Sequence, residues 1–196
     1  MIDYLDETIL QWFQQIHNDA LTKIFMIITK LGEAGIIWII FGFLMLFALK
    51  EKKYGCMVLF SLLLCLIFGN GILKNLIARP RPCHIIHDIQ MLIAIPKDYS
   101  FPSGHTFSSV AASICIWHWN RKYGILAWIL AVVMMASRLY FYVHYPTDVL
   151  AGALLGILIV QAVIFAFYKI KKIQNSTKMK KLGNKKKRQK ILKTNK

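Results

Sequence analysis

Between Tyr54 and Leu73 the chain carries no charged residue, and four further stretches are apolar with their charges at or near the ends. Inside a lipid bilayer no water is available to a backbone N–H or C=O, so such segments must close their hydrogen bonds internally, and a helix does this within one segment. Charges and prolines divide the chain into five predicted spans at approximately 33–50, 54–78, 104–120, 123–143 and 145–170. Ahead of them, residues 4–18 set Leu5, Ile9, Phe13 and Ile16 at helical spacing. Residues 21–32 are apolar but interrupted by Lys23 and Lys30. Both segments read as helices lying at the membrane interface. The expected fold is all-α: a polytopic membrane helical bundle of about five transmembrane helices plus N-terminal interfacial helices. Its expected divisions are interfacial helices over 1–32, a transmembrane core over 33–170 and a basic tail over 171–196. With 57% hydrophobic residues and a mean hydropathy of +0.49, an ordinary soluble domain is excluded.

Charge is concentrated at one end. Of the 25 Lys and Arg residues, 13 fall between Lys169 and Lys196, a stretch without an acid; the body before it holds 12 bases against 9 acids. Such a tail directly after a membrane span marks the cytoplasmic side and contacts anionic lipid headgroups, so nucleic acid is not the expected partner. Lys50–Lys53 and Arg121-Lys122 lie on the same side as the tail when the spans alternate. The opposite, extracytoplasmic side then gathers Lys74–Arg81, Pro102–His105 and Arg138–Asp148. Cys56, Cys65 and Cys115 sit in apolar runs and only Cys83 is in a polar segment, which implies no disulfide framework. The acidic start Met-Ile-Asp-Tyr-Leu-Asp-Glu lacks the basic and apolar regions of a cleavable signal.

Three clusters meet on that outer side. Lys74 and Arg81 are seven residues apart, and Pro80 and Pro82 must end the helix near them. Pro102-Ser103-Gly104-His105 stands directly before a span; Ser is a favoured N-cap, and the N–H groups of a helix start form an anion site. Ser137-Arg138 leads to His144 and Asp148, four residues apart, with Pro146 suited to a first helical turn. A cation at a span end usually snorkels to the headgroups, so each residue alone says little. Together they offer three cations, backbone donors and two imidazoles, which suits phosphoryl transfer, where positioning and charge stabilisation do most of the work. Cys83-His84 with His87-Asp88 reads as a solvated loop; no metal and no cofactor is expected.

Lys-x6-Arg-Pro (74–82), Pro-Ser-Gly-His (102–105) and Ser-Arg-x5-His-x3-Asp (137–148) resemble the three-part signature of the type-2 phosphatidic acid phosphatase family, the membrane branch of the acid phosphatase–vanadium haloperoxidase superfamily. All three parts occur in order, and the likeness covers roughly residues 20–170. The resemblance implies a metal-independent lipid phosphate phosphatase with a phosphohistidine intermediate. In it His144 is the nucleophile, Asp148 orients it, and His105 is general acid and then base. Lys74, Arg81, Ser103, Gly104 and Arg138 bind the phosphate. Undecaprenyl diphosphate is the expected lipid, with phosphatidylglycerol phosphate and phosphatidate as alternatives, and with a lipid phosphotransferase using the same phosphohistidine as a further one.

Overall fold

The computed structural model describes residues 4–86 and 89–194. Nine α-helices are found among them: α1 (Tyr4–Gln15), α2 (Asp19–Leu31), α3 (Ile36–Phe47), α4 (Lys52–Cys65), α5 (Lys74–Ile77), α6 (Pro82–Ile85), α7 (Gly104–Trp119), α8 (Arg121–Tyr140) and α9 (Pro146–Thr194). No strand occurs among the described residues. Asn18 caps α2 by accepting the N–H of Leu21 at 2.9 Å, and Asn120 caps α8 by accepting those of Lys122 and Tyr123.

α7 is the centre of the bundle, packed against α4, α8 and α9. Its Phe107, Val110, Ala111, Ala112, Cys115 and Ile116 are buried. Outward-facing Ile40, Phe47, Leu126, Leu150, Leu154 and Phe165 are exposed, as expected of positions facing lipid. Two glycines of α9 let α7 come close. A Cβ at Gly152 would stand 2.8 Å from the carbonyl oxygen of Ser103, and one at Gly156 2.9 Å from that of Phe107. This is the small-x3-small contact by which membrane helices approach through their backbones. Gly152→Leu is therefore expected to cost about 3 kcal/mol or more, at the upper end of overpacking penalties. A lowered midpoint of unfolding in detergent would register it.

The membrane helices of the expected bundle are present and differ in length. Among the described residues three helical stretches are long and apolar enough to cross a bilayer: Lys52–Ile85, Arg121–Tyr140 and Pro146–Gln174. The expected first span reaches crossing length only when α3 is joined to α2, across a 47° bend. Ala34 and Gly35, both at positive φ, make that bend. α7 has 16 residues, short for a crossing, and its neighbours enclose its Thr106, Ser109 and Ser113. The expected second span is continuous to Ile77 but widens into a π-helical segment over Leu66–Leu73, around Gly69-Asn70-Gly71. It stops where Ala78 turns to φ 47°, two residues before Pro80.

α1 and α2 do more than lie on a surface. Leu10 of α1 is buried against Tyr142 and Tyr145, while Leu5 and Ile9 remain exposed. Tyr140 ties both helices to α8: its hydroxyl pairs with that of Thr22 at 2.7 Å, and its carbonyl meets His17 Nε2 at 2.9 Å.

Candidate active site

The corner between α8 and α9 is built by local hydrogen bonding. Beyond Phe141, the N–H of Tyr142 returns to the carbonyl of Leu139 at 3.0 Å, and that of Val143 to Arg138 at 3.2 Å. This is a Schellman termination, with Tyr142 at φ 58° in the place glycine usually takes. Its ring is buried against Leu10, a contact that offsets the cost of that conformation. α9 begins at Pro146, so His144 precedes the helix and does not share its face with Asp148. Asp148 instead sits in the first turn and reaches back, its Oδ2 accepting the N–H of Tyr145 at 2.9 Å.

That carboxylate is completely buried, and Oδ2 lies 3.7 Å from His144 Nδ1. Ser100 donates its hydroxyl to the same Oδ2 and stands 3.4 Å from Nδ1. Arg81 Nη1 is 3.1 Å from His144 Nε2. A guanidinium can only donate, so Nε2 carries the lone pair and Nδ1 the proton. Burial drives the His144 pKa down to about 3; Asp148 opposes this, and Arg81 and Arg138 add to it. The ring is thus neutral in the free protein, with Nε2 unprotonated and facing the cations. In the unfolded chain this histidine takes up a proton near its ordinary 6.5 that the folded site refuses. It therefore withdraws stability as pH falls from that value toward 3.

Lys74 and Arg81 converge although they share no helix face. α5 ends at Ile77, and Arg81 lies on the extended residue ahead of α6. Both bind the Asp98 carboxylate, Lys74 Nζ at Oδ2 and Arg81 Nη2 at Oδ1, the latter at 2.7 Å. Arg81 is further fixed by the carbonyls of Asp98 (2.9 Å) and Val143 (2.6 Å). Burial would raise the Asp98 pKa, but the Lys74 hydrogen bond and the charge of Arg81 outweigh it and hold it at about 2. A charged carboxylate thus rests on two cations that the sequence assigns to phosphate, and its tether weakens only as pH falls from 3.8 toward 2. Asp98→Asn is expected to tighten inhibition by inorganic phosphate by about tenfold, equal to 1.4 kcal/mol. Competition kinetics would measure it.

Arg138 is buried and pairs with no carboxylate among the described residues. One terminal nitrogen donates to the Thr29 hydroxyl, while its Nε has no partner. An unsatisfied N–H on a buried cation is costly unless an anion completes it. Thr29 also gives its carbonyl to His105 Nε2 at 3.1 Å. α2 closes tightly on that ring: a Cβ at Gly32 would come within 2.7 Å of His105 Cδ2. Ser103 holds the N-cap position of α7, but its side chain caps no backbone N–H, contrary to the usual use of serine there. Its hydroxyl accepts from Thr106 at 3.1 Å, and its own N–H donates to the Asp148 carbonyl at 3.2 Å. Gly104 opens α7, where a Cβ would stand 3.2 Å from Asn70 Oδ1.

Lys74, Arg81, His144 and Asp148 are thus linked through side-chain contacts, and Arg138 and His105 are joined through Thr29. Sequence reasoning missed Asp98, Ser100, Thr29, Arg79 and Asp6. Between Arg81 and Ser103 the sequence holds two acids, Asp88 and Asp98, so nothing there singles Asp98 out. His84 gives Nε2 to the Pro96 carbonyl at 2.8 Å and Cys83 is buried against Tyr140, Phe141 and Val143; His87 and Asp88 lie outside the described residues.

Known proteins resemble this chain in sequence and in fold. Residues 54–172 match the PAP2 superfamily. An undecaprenyl-diphosphatase of Sulfolobus acidocaldarius is 32% identical over 143 residues, covering 70% of this chain and 66% of that protein. Phosphatidylglycerophosphatase B of Bacillus subtilis is 30% identical over 175 residues, 79% of each chain. The crystal structure of a transmembrane PAP2-type phosphatidylglycerolphosphate phosphatase from Bacillus subtilis superposes with a TM-score of 0.68 at 29% identity, covering 85% of this chain and 86% of that one. Aquifex aeolicus LpxE shares the fold, with a TM-score of 0.67 at 23% identity over 84% of this chain and 98% of that one. The chain belongs to the PAP2 superfamily, and the relatives it matches are named as phosphatases of lipid phosphates or diphosphates.

Proposed function

We propose that this protein removes the terminal phosphate from undecaprenyl diphosphate, through a phosphohistidine on His144 and without a metal. The carrying observation is the pairing of an unprotonated His144 Nε2, 3.1 Å from Arg81, with a buried Arg138 whose Nε has no partner. A nucleophile and a cation lacking an anion suit a phosphoryl group. Nε2 attacks phosphorus and a P–N bond forms as the P–O bond to the lipid phosphate breaks. His105 protonates the departing oxygen. It then takes a proton from water, whose oxygen displaces Nε2 and returns the electron pair to the ring. Lys74, Arg81, Arg138, the Ser103 hydroxyl and the Gly104 N–H hold the phosphate oxygens, and Asp148 stabilises the charged imidazole.

The site belongs on the extracytoplasmic face, with the C-terminus cytoplasmic. Lys53, whose Nζ lies 4.2 Å from the Tyr168 ring, groups with the basic span ends at the opposite end from His144. Undecaprenyl diphosphate is favoured by two relatives with that name, the second being the BcrC protein of Bacillus subtilis, 29% identical over 73% of each chain. Phosphatidylglycerol phosphate is the second reading, supported by the longer alignment to phosphatidylglycerophosphatase B.

The test is phosphate release from both lipids and from phosphatidate, in detergent micelles with excess EDTA. Full release with EDTA, fastest on undecaprenyl diphosphate, is expected. Loss of release with EDTA refutes metal independence, a faster rate on another lipid refutes the substrate, and phosphate appearing on an acceptor instead of in solution makes the protein a transferase.

A further inference from the structure

Asp148 has two oxygens, and Ser100, Tyr145 and His144 all face Oδ2. Oδ1 belongs to another group: Arg79 Nη1 donates to it at 2.6 Å. Arg79 lies outside the three signature residue sets, between Lys74 and Arg81. Its other terminal nitrogen, Nη2, donates to Asp6 Oδ2 at 2.9 Å. Asp6, on the N-terminal helix α1, is 1% exposed and accepts from Thr147 twice, from its N–H at 2.9 Å and from its hydroxyl at 2.7 Å. The guanidinium also donates to the Thr147 hydroxyl at 2.7 Å and stacks 3.9 Å from the centre of the Tyr145 ring.

We infer that Asp6 and Arg79 form a positioning clamp that sets the rotation of the Asp148 carboxylate against His144. The inference rests on the proposed roles of His144 and Asp148. A carboxylate bound only at Oδ2 can turn about its terminal torsion, which is broad. A charge-assisted bond at Oδ1 removes that freedom and keeps Oδ2 toward Nδ1. Arg79 could turn as well, and Asp6 prevents it by holding the second arm of the fork and the residue next to Asp148 at once. Charge points the same way. Without Arg79, Asp6 and Asp148 would be two buried carboxylates with no cation between them, a costly arrangement. Buried Asp6 would have no reason to be acidic if α1 only rested on the membrane surface, since an apolar residue would serve there better.

Neither residue is among those proposed to hold the phosphate, so the clamp acts on turnover and not on substrate binding. The experiment compares the full-length parent, Asp6→Asn, Arg79→Met and Arg79→Lys on undecaprenyl diphosphate micelles. It measures kcat, KM, the midpoint of unfolding in detergent, and the acid-labile phosphate trapped on the protein during turnover. Arg79→Met is expected to lower kcat about 100-fold and Asp6→Asn about 10-fold, the range that partners behind a functional side chain command. KM should stay within about twofold, because the phosphate-binding cations are untouched. Arg79→Lys should recover part of kcat, since it keeps the charge and loses the fork.

An unchanged kcat in both Asp6→Asn and Arg79→Met overturns the clamp. So does a loss of kcat that follows the unfolding midpoint across the variants, or a loss expressed in KM. Absence of trapped phosphate in the parent condemns the phosphohistidine reading instead, which separates the two failures.

Discussion

His144→Ala is expected to abolish phosphate release, with kcat falling on the order of 10⁴-fold or more, as removal of a nucleophile does in covalent catalysis. The size follows from the placement of Nε2. It faces Arg81 at 3.1 Å and is unprotonated, because burial has pushed the ring down to about 3. No described neighbour offers a comparable nitrogen: His105 Nε2 is engaged by the Thr29 carbonyl. Alanine leaves a small void and an Asp148 that keeps Ser100, Arg79 and Tyr145 as partners, so folding should survive. Release in detergent micelles and the midpoint of unfolding check the two halves. Parent-like release in the variant would remove His144 from the mechanism.

Arg138→Met is expected to lower kcat by about 10²- to 10³-fold, the cost of deleting one donor to charge developing in a transition state. Its effect on folding should run the other way. In the free protein this guanidinium is buried with only the Thr29 hydroxyl as side-chain partner and an orphaned Nε, so the resting state bears an uncompensated desolvation cost. Methionine removes that cost and, reaching as far as the arginine Nε, fills the apolar part of the space. The unfolding midpoint of the variant should hold or rise while activity collapses, and inorganic phosphate should no longer raise that midpoint. A variant that loses stability in parallel with activity would make Arg138 a structural residue.

The sequence made the span positions and three signature clusters legible because each rests on local signals. Apolar runs end at charges, prolines stop helices, and residues such as His144 and Asp148 are four apart. What stayed hidden depends on pairs that meet only in three dimensions. Asp6 and Arg79 are 73 residues apart, and Arg138 and Thr29 are 109 apart. Nothing in the amphipathic pattern of α1 distinguishes Asp6 from the exposed Glu7 beside it. α2 reads as surface-bound because Lys23 and Lys30 interrupt it, yet its Thr29 reaches both Arg138 and His105. α7 matches the predicted span at 104–120 to within a residue, yet hydropathy does not tell that protein rather than lipid encloses much of it. Ser103 looks like a cap, and the fold instead directs its hydroxyl to Thr106.

The π-helical segment over Leu66–Leu73 bears on how this protein tolerates changes of length. A π-turn holds one more residue than an α-turn of the same reach. Removing a single residue there lets the segment close into regular α-helix with the turns on either side kept near their angular phase. In regular α-helix the same deletion would turn everything after it by about 100° about the axis. Lys74 follows the segment at once, so a one-residue deletion within Leu66–Leu73 should leave it facing Asp98, where the same loss in regular helix would swing it away.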